Sequence, residues 1–282
     1  MKKQTTMIAI SLATSLMMAG CVQKTEEASN VKKESKVEAK VNLDSEINNY
    51  RDFVVSQTEE FVSNTQKFVD AINAGNMAEA KRLYPISRSY YERIEPVAES
   101  FGDLDPKIDA REGDVPANEW TGFHKIEQVL WVQNTTKGLE KYTEQLMKDA
   151  NYLRAKVETA EIDPVLFVTG PVELLNEVSS SKVTGEEERY SHTDLADFAA
   201  NVEGSDKIVQ LLSDKLKAKD ADLAKTIETR FNDLMTTLNT YKKGDQYVDY
   251  KQLKEDEVKK LAQQVDALAE PISQVGSTLG VK

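Results

Sequence analysis

Apolar side chains recur at steps of three and four residues along most of the chain. Ile47, Tyr50, Val54, Phe61, Thr65, Phe68 and Ile72 follow this spacing, with one turn skipped at Thr58, and the run stops at Gly75. Such a period gathers the residues on one stripe of a helix, and a glycine just past the last of them is a helix stop. The same spacing predicts helical character from Met77 to Phe101, interrupted or kinked at Pro85 and Pro96, where an amide donor is missing. It resumes at Trp120, Phe123, Ile126, Leu130 and Trp131, then at Leu139, Tyr142, Leu146, Leu153 and Val157. Three more runs cover about Thr193 to Leu216, Asp220 to Lys242 and Lys254 to Leu279. Residues 102–117, with Gly102, Pro106, Gly113 and Pro116, read as a loop, and only Val165 to Val168 looks strand-like. Thr184 and Glu187 have capping-box spacing. The expected fold is all-α: one bundle of long antiparallel helices burying their apolar stripes against one another.

Composition narrows what such a bundle does. The 282 residues include one cysteine and two histidines, too few for a zinc ribbon, an iron–sulfur cluster or a three-histidine cage. Acids outnumber bases 48 to 36, a net charge of −12, which argues against nucleic acid as a partner.

The N-terminus carries an address. Lys2 and Lys3 precede an apolar run from Met7 to Ala19, too short to span a bilayer as a helix and typical of a secretory signal. The run ends in Met18-Ala19-Gly20-Cys21, which resembles the lipobox of bacterial lipoproteins. That resemblance implies cleavage after residue 20 and a lipid on Cys21, the chain's sole thiol. Loss of residues 1–20 removes two lysines and shifts the charge to −14. Residues 22–46 are polar and mixed in charge, a composition that cannot bury enough surface to order itself, so 21–46 reads as a tether. Residues 47–282 form the expected helical domain.

Polar chemistry concentrates in residues 90–131. Glu92, Glu95 and Glu99 fall near one helical face, and Asp103, Asp105, Asp109, Glu112 and Asp114 follow in the loop. His124 and Glu127 stand one helical turn apart and can point at one ion. Two readings fit that pair: metal ligands, or a Glu127 salt-bridged to Arg88, Arg93 or Arg111 beside an interhelical histidine. His192 has Ser191, Thr193 and Asp194 as neighbours able to cap the next helix, and Glu186 to Glu188 read as a solvated charge run. Tyr90, Tyr91 and Tyr190 lie beside the acids at core-like spacing. Any bound metal would take mostly oxygen ligands, which suits hard cations such as ferric iron, calcium, magnesium or manganese. Among enzyme signatures there is no His-Glu-x-x-His, no Gly-x-Ser-x-Gly, no phosphate loop and no dinucleotide fingerprint.

Longer strings carry a family resemblance. Tyr91-Glu92-Arg93-Ile94-Glu95-Pro96-Val97-Ala98-Glu99, the pieces at 103–105 and 108–112, Trp120-Thr121-Gly122-Phe123-His124-Lys125-Ile126-Glu127, and Gly185 to Leu195 resemble the imelysin-like domain of Efe-type iron-uptake lipoproteins. The likeness runs from about residue 45 to the C-terminus. It implies two four-helix-bundle-like halves and an extracytoplasmic, non-enzymatic component that binds ferric or ferrous iron. Its implied partners are a membrane iron permease and a dye-decolourising haem peroxidase. It also implies His124 and Glu127 as metal ligands, to which helical spacing adds Glu95 and Glu99. Residues 21–47 hold nothing resembling the cupredoxin domain of longer members, which matches the short form. Imelysins have also been labelled metallopeptidases on the same motif, the alternative activity, although one histidine and one glutamate fall short of a zinc-peptidase set.

Overall fold

The computed structural model describes residues 41–281, except the side chains of residues 98–100. Cys21 and the signal segment lie outside these residues, as does the Glu99 side chain. Helix α1 spans Asp44–Asn73 and α2 Met77–Glu92. A 3-10 segment, Glu95–Leu104, leads into the short α3, Asp105–Asp109. Helix α4, Gly122–Gln128, continues into a π turn at Val129–Gln133 and is followed by α5, Glu140–Val157. The chain then builds α6 (Pro164–Ser180), α7 (Asp194–Lys219) and α8 (Ala221–Asn239). A two-residue ladder, β1 (Lys242–Lys243) against β2 (Gln246–Tyr247), precedes α9 (Glu255–Ile272) and α10 (Val275–Leu279).

The helices form two halves. In the first, α1 lies along α2 and α5, and α4 closes on α5. In the second, α6, α7, α8 and α9 pack in a ring, each against the next. The halves meet where α2 crosses α7 and the 3-10 segment crosses α6. The all-α class is the one the helical spacing predicts, and the division into two bundle-like halves is what the family resemblance implies in place of a single bundle.

The α1 stripe shows how spacing becomes core. Ile47, Tyr50, Val54, Phe61, Phe68 and Ile72 are all buried, and so is Thr58 in the skipped turn. Its hydroxyl donates to the Val54 and Val55 carbonyls at 3.0 and 2.8 Å, so a polar residue sits in the core with its donor satisfied by its own helix. The helix starts at Asp44, three residues before the expected domain start, with Asn42 accepting from the Asp44 amide at 2.8 Å and Leu43 buried.

Several local expectations are corrected. Pro85 does not interrupt α2, which runs through it to Glu92. The stretch at 102–117 is not all loop, since Asp105-Pro106 opens α3, a first-turn position where proline's missing amide costs nothing. Val165 to Val168 is the first turn of α6, because Asp163 accepts from the Val165 and Leu166 amides at 2.7 and 3.1 Å and caps a helix with Pro164 in its first turn. Thr184 caps nothing: it ends a 3-10 turn and its hydroxyl donates back to the Ser181 carbonyl at 2.7 Å. Thr193 holds the position before α7 but makes no side-chain cap, and Ser191 and Asp194 bond instead to Glu188.

Two glycines set the seam between the halves. A Cβ on Gly204 of α7 would stand 2.2 Å from the Arg93 carbonyl oxygen, and one on Gly170 of α6 would stand 2.1 Å from that of Pro96. The break after α2 therefore rests backbone to backbone on α6 and α7, which fixes where Glu92 and Glu95 point.

Candidate metal centre

Aromatic packing delivers His124. Phe123 stacks on Phe68 at 5.8 Å between centroids and meets Phe61 and Tyr84 at 5.8 and 5.9 Å, which anchors α4 to α1 and α2. Gly122 makes the approach feasible, since at φ +80° a Cβ there would lie 2.3 Å from the Ile108 carbonyl oxygen at the end of α3. Trp120 fastens the same junction by donating its indole N–H to the Ala110 carbonyl at 2.7 Å. Asp109, the last residue of α3, is thus held beside His124 on α4.

The two faces of the imidazole differ. Nδ1 lies 3.1 Å from Glu127 Oε2, and Glu127 Oε1 accepts the backbone amides of Tyr190 and Ser191 at 2.9 and 2.7 Å. Glu127 therefore ties His124 to the turn before α7, and that turn turns Glu187 and Glu188 inward. Nε2 is buried and makes no hydrogen bond among the described residues, with Asp109 Oδ1 at 3.5 Å and Glu187 Oε1 at 3.6 Å. Ligand atoms bound about 2.1 Å from one ion stand about 3.0–3.5 Å apart at octahedral to tetrahedral angles, so these separations suit a shared cation. His124, Asp109 and Glu187 form one group able to hold a metal, and His124, Glu127 and Glu188 form another on the Nδ1 side.

A buried charge network surrounds the ring. Arg88 of α2, fully buried, ion-pairs with Asp109, with Glu92 and Glu188 at 2.5 Å each, with Asp197 at 3.4 Å and with Glu187 at 3.6 Å. Lys182 extends it to Glu92 at 3.2 Å and Glu95 at 2.7 Å. Glu92, Asp109, Glu127, Glu187, Glu188, Asp194 and Asp197 are thus opposed by Arg88 and Lys182, an excess of acid that burial makes expensive unless protons or cations balance it.

The protons sort themselves. Burial pushes Asp197 up to about 8, Asp194 to about 7 and Glu188 well above the carboxylate range. Burial also acts on Asp109 and Glu187, but for Asp109 it is outweighed by Arg88 and His124, and for Glu187 by Lys182, His124 and Arg88, so both sit low. Burial and the Arg88 charge push His124 down, yet Asp109, Glu127 and Glu187 together carry it well above its usual value. Asp109, Glu127 and Glu187 are thus held charged around the ring, while burial favours protons on Glu188, Asp194 and Asp197.

Asp109 and Glu187 also line a cleft of about 170 Å³ whose wall includes Glu95, Asp105, Asp114 and Glu177. Arg111 stands in it, a quarter exposed, 3.0 Å from Glu187 and 3.3 Å from Asp114. Negative walls raise the local concentration of cations next to the Nε2 face.

The structure brings His124 and Glu127 together and rules out an arginine partner for Glu127 among the described residues, since Arg88, Arg93 and Arg111 all pair elsewhere. Glu95 does not reach His124; Lys182 and the Asn201 amide hold it, at 2.7 and 2.6 Å. Glu187 and Glu188 are not a solvated run, being 3% and 0% exposed, and only Glu186 faces water. Tyr91 is core, its hydroxyl donating to Asp105 at 2.6 Å, and His192 lies apart from the ligand groups, in a left-handed backbone at φ +59°. Spacing missed Asp109, Glu187 and Arg88, which only the tertiary fold assembles.

A family model described as Imelysin, of peptidase type M75, matches residues 46–275. A Staphylococcus haemolyticus protein named an Efem/EfeO family lipoprotein is 45% identical over 98% of both chains. A Staphylococcus aureus protein of the same name is 47% identical over 80% of this chain and 82% of its own. Among solved structures, an iron-regulated protein A precursor from Parabacteroides distasonis superposes with a TM-score of 0.67 at 14% identity, covering 86% of this chain and 97% of that one, a likeness of fold. The chain belongs to the imelysin family, as one of its EfeM/EfeO lipoproteins.

Proposed function

We propose that the protein is the lipid-anchored iron-binding component of an Efe-type uptake system, holding iron as cargo outside the membrane and passing it to a membrane permease. A dye-decolourising haem peroxidase would act in the same system. The observation that carries this reading is the buried His124 Nε2, without a hydrogen-bond partner among the described residues, facing two ionised carboxylates at the base of an acidic cleft. Nε2, Asp109 and Glu187 supply one nitrogen and several oxygens, a donor set suited to ferrous or ferric ions. Glu127 orients the ring through Nδ1, so that in the loaded site Nε2 is bare toward the ion. Cys21 would carry the lipid; no helix among the described residues is long and apolar enough to cross a membrane.

A peptidase reading needs a carboxylate free to take a proton from water. Glu127 is buried with one oxygen on two backbone amides and the other on His124, so it is committed to structure. Titration of the purified full chain with ferrous and ferric iron tests the proposal. Wild type should bind, and His124→Ala and Asp109→Asn/Glu187→Gln should lose most of the affinity, while Glu95→Gln retains it. Equal binding by all four proteins would refute the site, and chelator-sensitive cleavage of a peptide library would replace the function.

A further inference from the structure

A second concavity lies between α2, α7 and the β1–β2 hairpin, and it shares no lining residue with the acidic cleft. Its volume is about 410 Å³, within the range of small-molecule sites. Small residues open it: Ala78 and Pro85 come from α2, and Ala196, Ala199 and Ala200 from α7.

Its charge runs against that of the molecule. Four cations, Lys81, Arg82, Arg93 and Lys242, line it against two acids, Glu203 and Asp245, on a chain of net charge −12. The arginines are balanced, Arg82 by Glu79 at 2.7 Å and Asp245 at 3.6 Å, and Arg93 by Glu203 at 2.6 Å. The lysines are held differently. Lys81 lies over the Trp131 ring at 5.1 Å and donates to the neutral Asn134 amide oxygen at 3.3 Å, and Lys242 lies over the Tyr247 ring at 5.2 Å. Neither has a carboxylate within 4.0 Å among the described residues. One stands on the helical wall and the other on the hairpin, so two lysines without a carboxylate partner line an open groove with a small apolar floor and the Tyr90 ring. The Lys81 head rests on Trp131 and Asn134, which are not among the lining residues, and its flexible stem lets it turn toward a bound anion.

We propose that this groove binds a small organic polycarboxylate, with Lys81 and Lys242 each meeting a carboxylate and the carbon skeleton lying on the alanine floor. Lysine suits this because its ammonium is a compact charge on a flexible stem that reaches anions of varied shape. The ligand is either a free polycarboxylate or a ferric chelate that leaves two carboxylates off the metal, since each can then offer one carboxylate to each lysine. The proposal does not rest on the His124 site.

Citrate is the probe, titrated by calorimetry into the full chain, with inorganic phosphate as a charge-only control and ferric citrate as the chelate. Wild type should bind citrate, and Lys81→Gln/Lys242→Gln, checked for native helicity by circular dichroism, should weaken it by about tenfold or more, while His124→Ala leaves it unchanged. In the His124→Ala background, binding of ferric citrate as strong as that of citrate identifies the chelate as a ligand, and binding of citrate alone identifies the free acid. Citrate affinity unaltered in the folded double variant would overturn the proposal. So would failure of wild type to bind citrate, or displacement of citrate by an equal concentration of phosphate.

Discussion

At the scale of single residues, His124 and Glu127 do different work although their spacing makes them look equivalent. Glu127 holds Nδ1 at 3.1 Å and two backbone amides, leaving Nε2 for the ion. Glu127→Gln keeps the shape but removes the charge that favours a proton on Nδ1, so iron affinity should fall about 10–100-fold, as loss of an orienting partner does at metal-bound histidines. Affinity equal to wild type in an equilibrium titration would contradict that role. The same ring sets a pH dependence. In the metal-free protein its pKa lies well above the ordinary 6.5, so near neutrality an incoming ion must displace a proton. Iron affinity should therefore rise with pH from 6 upward and level off above the raised pKa, with proton release seen as buffer-dependent heats in calorimetry. The i, i+3 pair was legible because one helical turn encodes it locally. Asp109 and Glu187 were not, because they lie 15 and 63 residues from His124 and in sequence look like any solvated acids.

At the scale of elements, the helices were readable wherever a stripe repeats every three or four residues, and misread where a cap decides the outcome. Val165 to Val168 is apolar enough for a strand, but Asp163 and Pro164 nucleate a helix there. Pro85 should have broken α2 by local rules, yet the helix runs on through it with both flanks packed, Leu83 and Tyr84 before it and Ser87 and Arg88 after it being buried. The close approach at Gly204 was invisible in sequence, since nothing local marks a glycine that meets a carbonyl of another element. Gly204→Ala should push α7 off the Arg93 carbonyl and cost about 1–3 kcal/mol, measured by denaturant unfolding. Gly138→Ala, at φ +81° in an open turn with nothing within 4 Å of the added carbon, should cost only the backbone strain of its own residue. Equal losses in the two variants would show that the α7 seam tolerates displacement.

At the scale of the whole molecule, the net charge of −12 divides unevenly. Part of it is a buried acidic network centred on Arg88, whose excess is carried as protons on Asp194, Asp197 and Glu188. A bound cation would relieve that excess, and because the site joins α3, α4 and the turn before α7, it would stabilise both halves together. Iron at 100 times its dissociation constant should add about 2.7 kcal/mol to unfolding stability and raise the melting temperature of wild type but not of Asp109→Asn/Glu187→Gln. An equal rise in both proteins would show binding elsewhere. If one ion sits on the Nε2 face of His124, anomalous scattering at the iron edge from an iron-soaked crystal will locate it there. A single peak is expected about 2.0–2.3 Å from His124 Nε2 and from oxygens of Asp109 and Glu187. A peak on the Nδ1 side between Glu127 and Glu188, or no peak beside His124 in a crystal that takes up iron elsewhere, would contradict it.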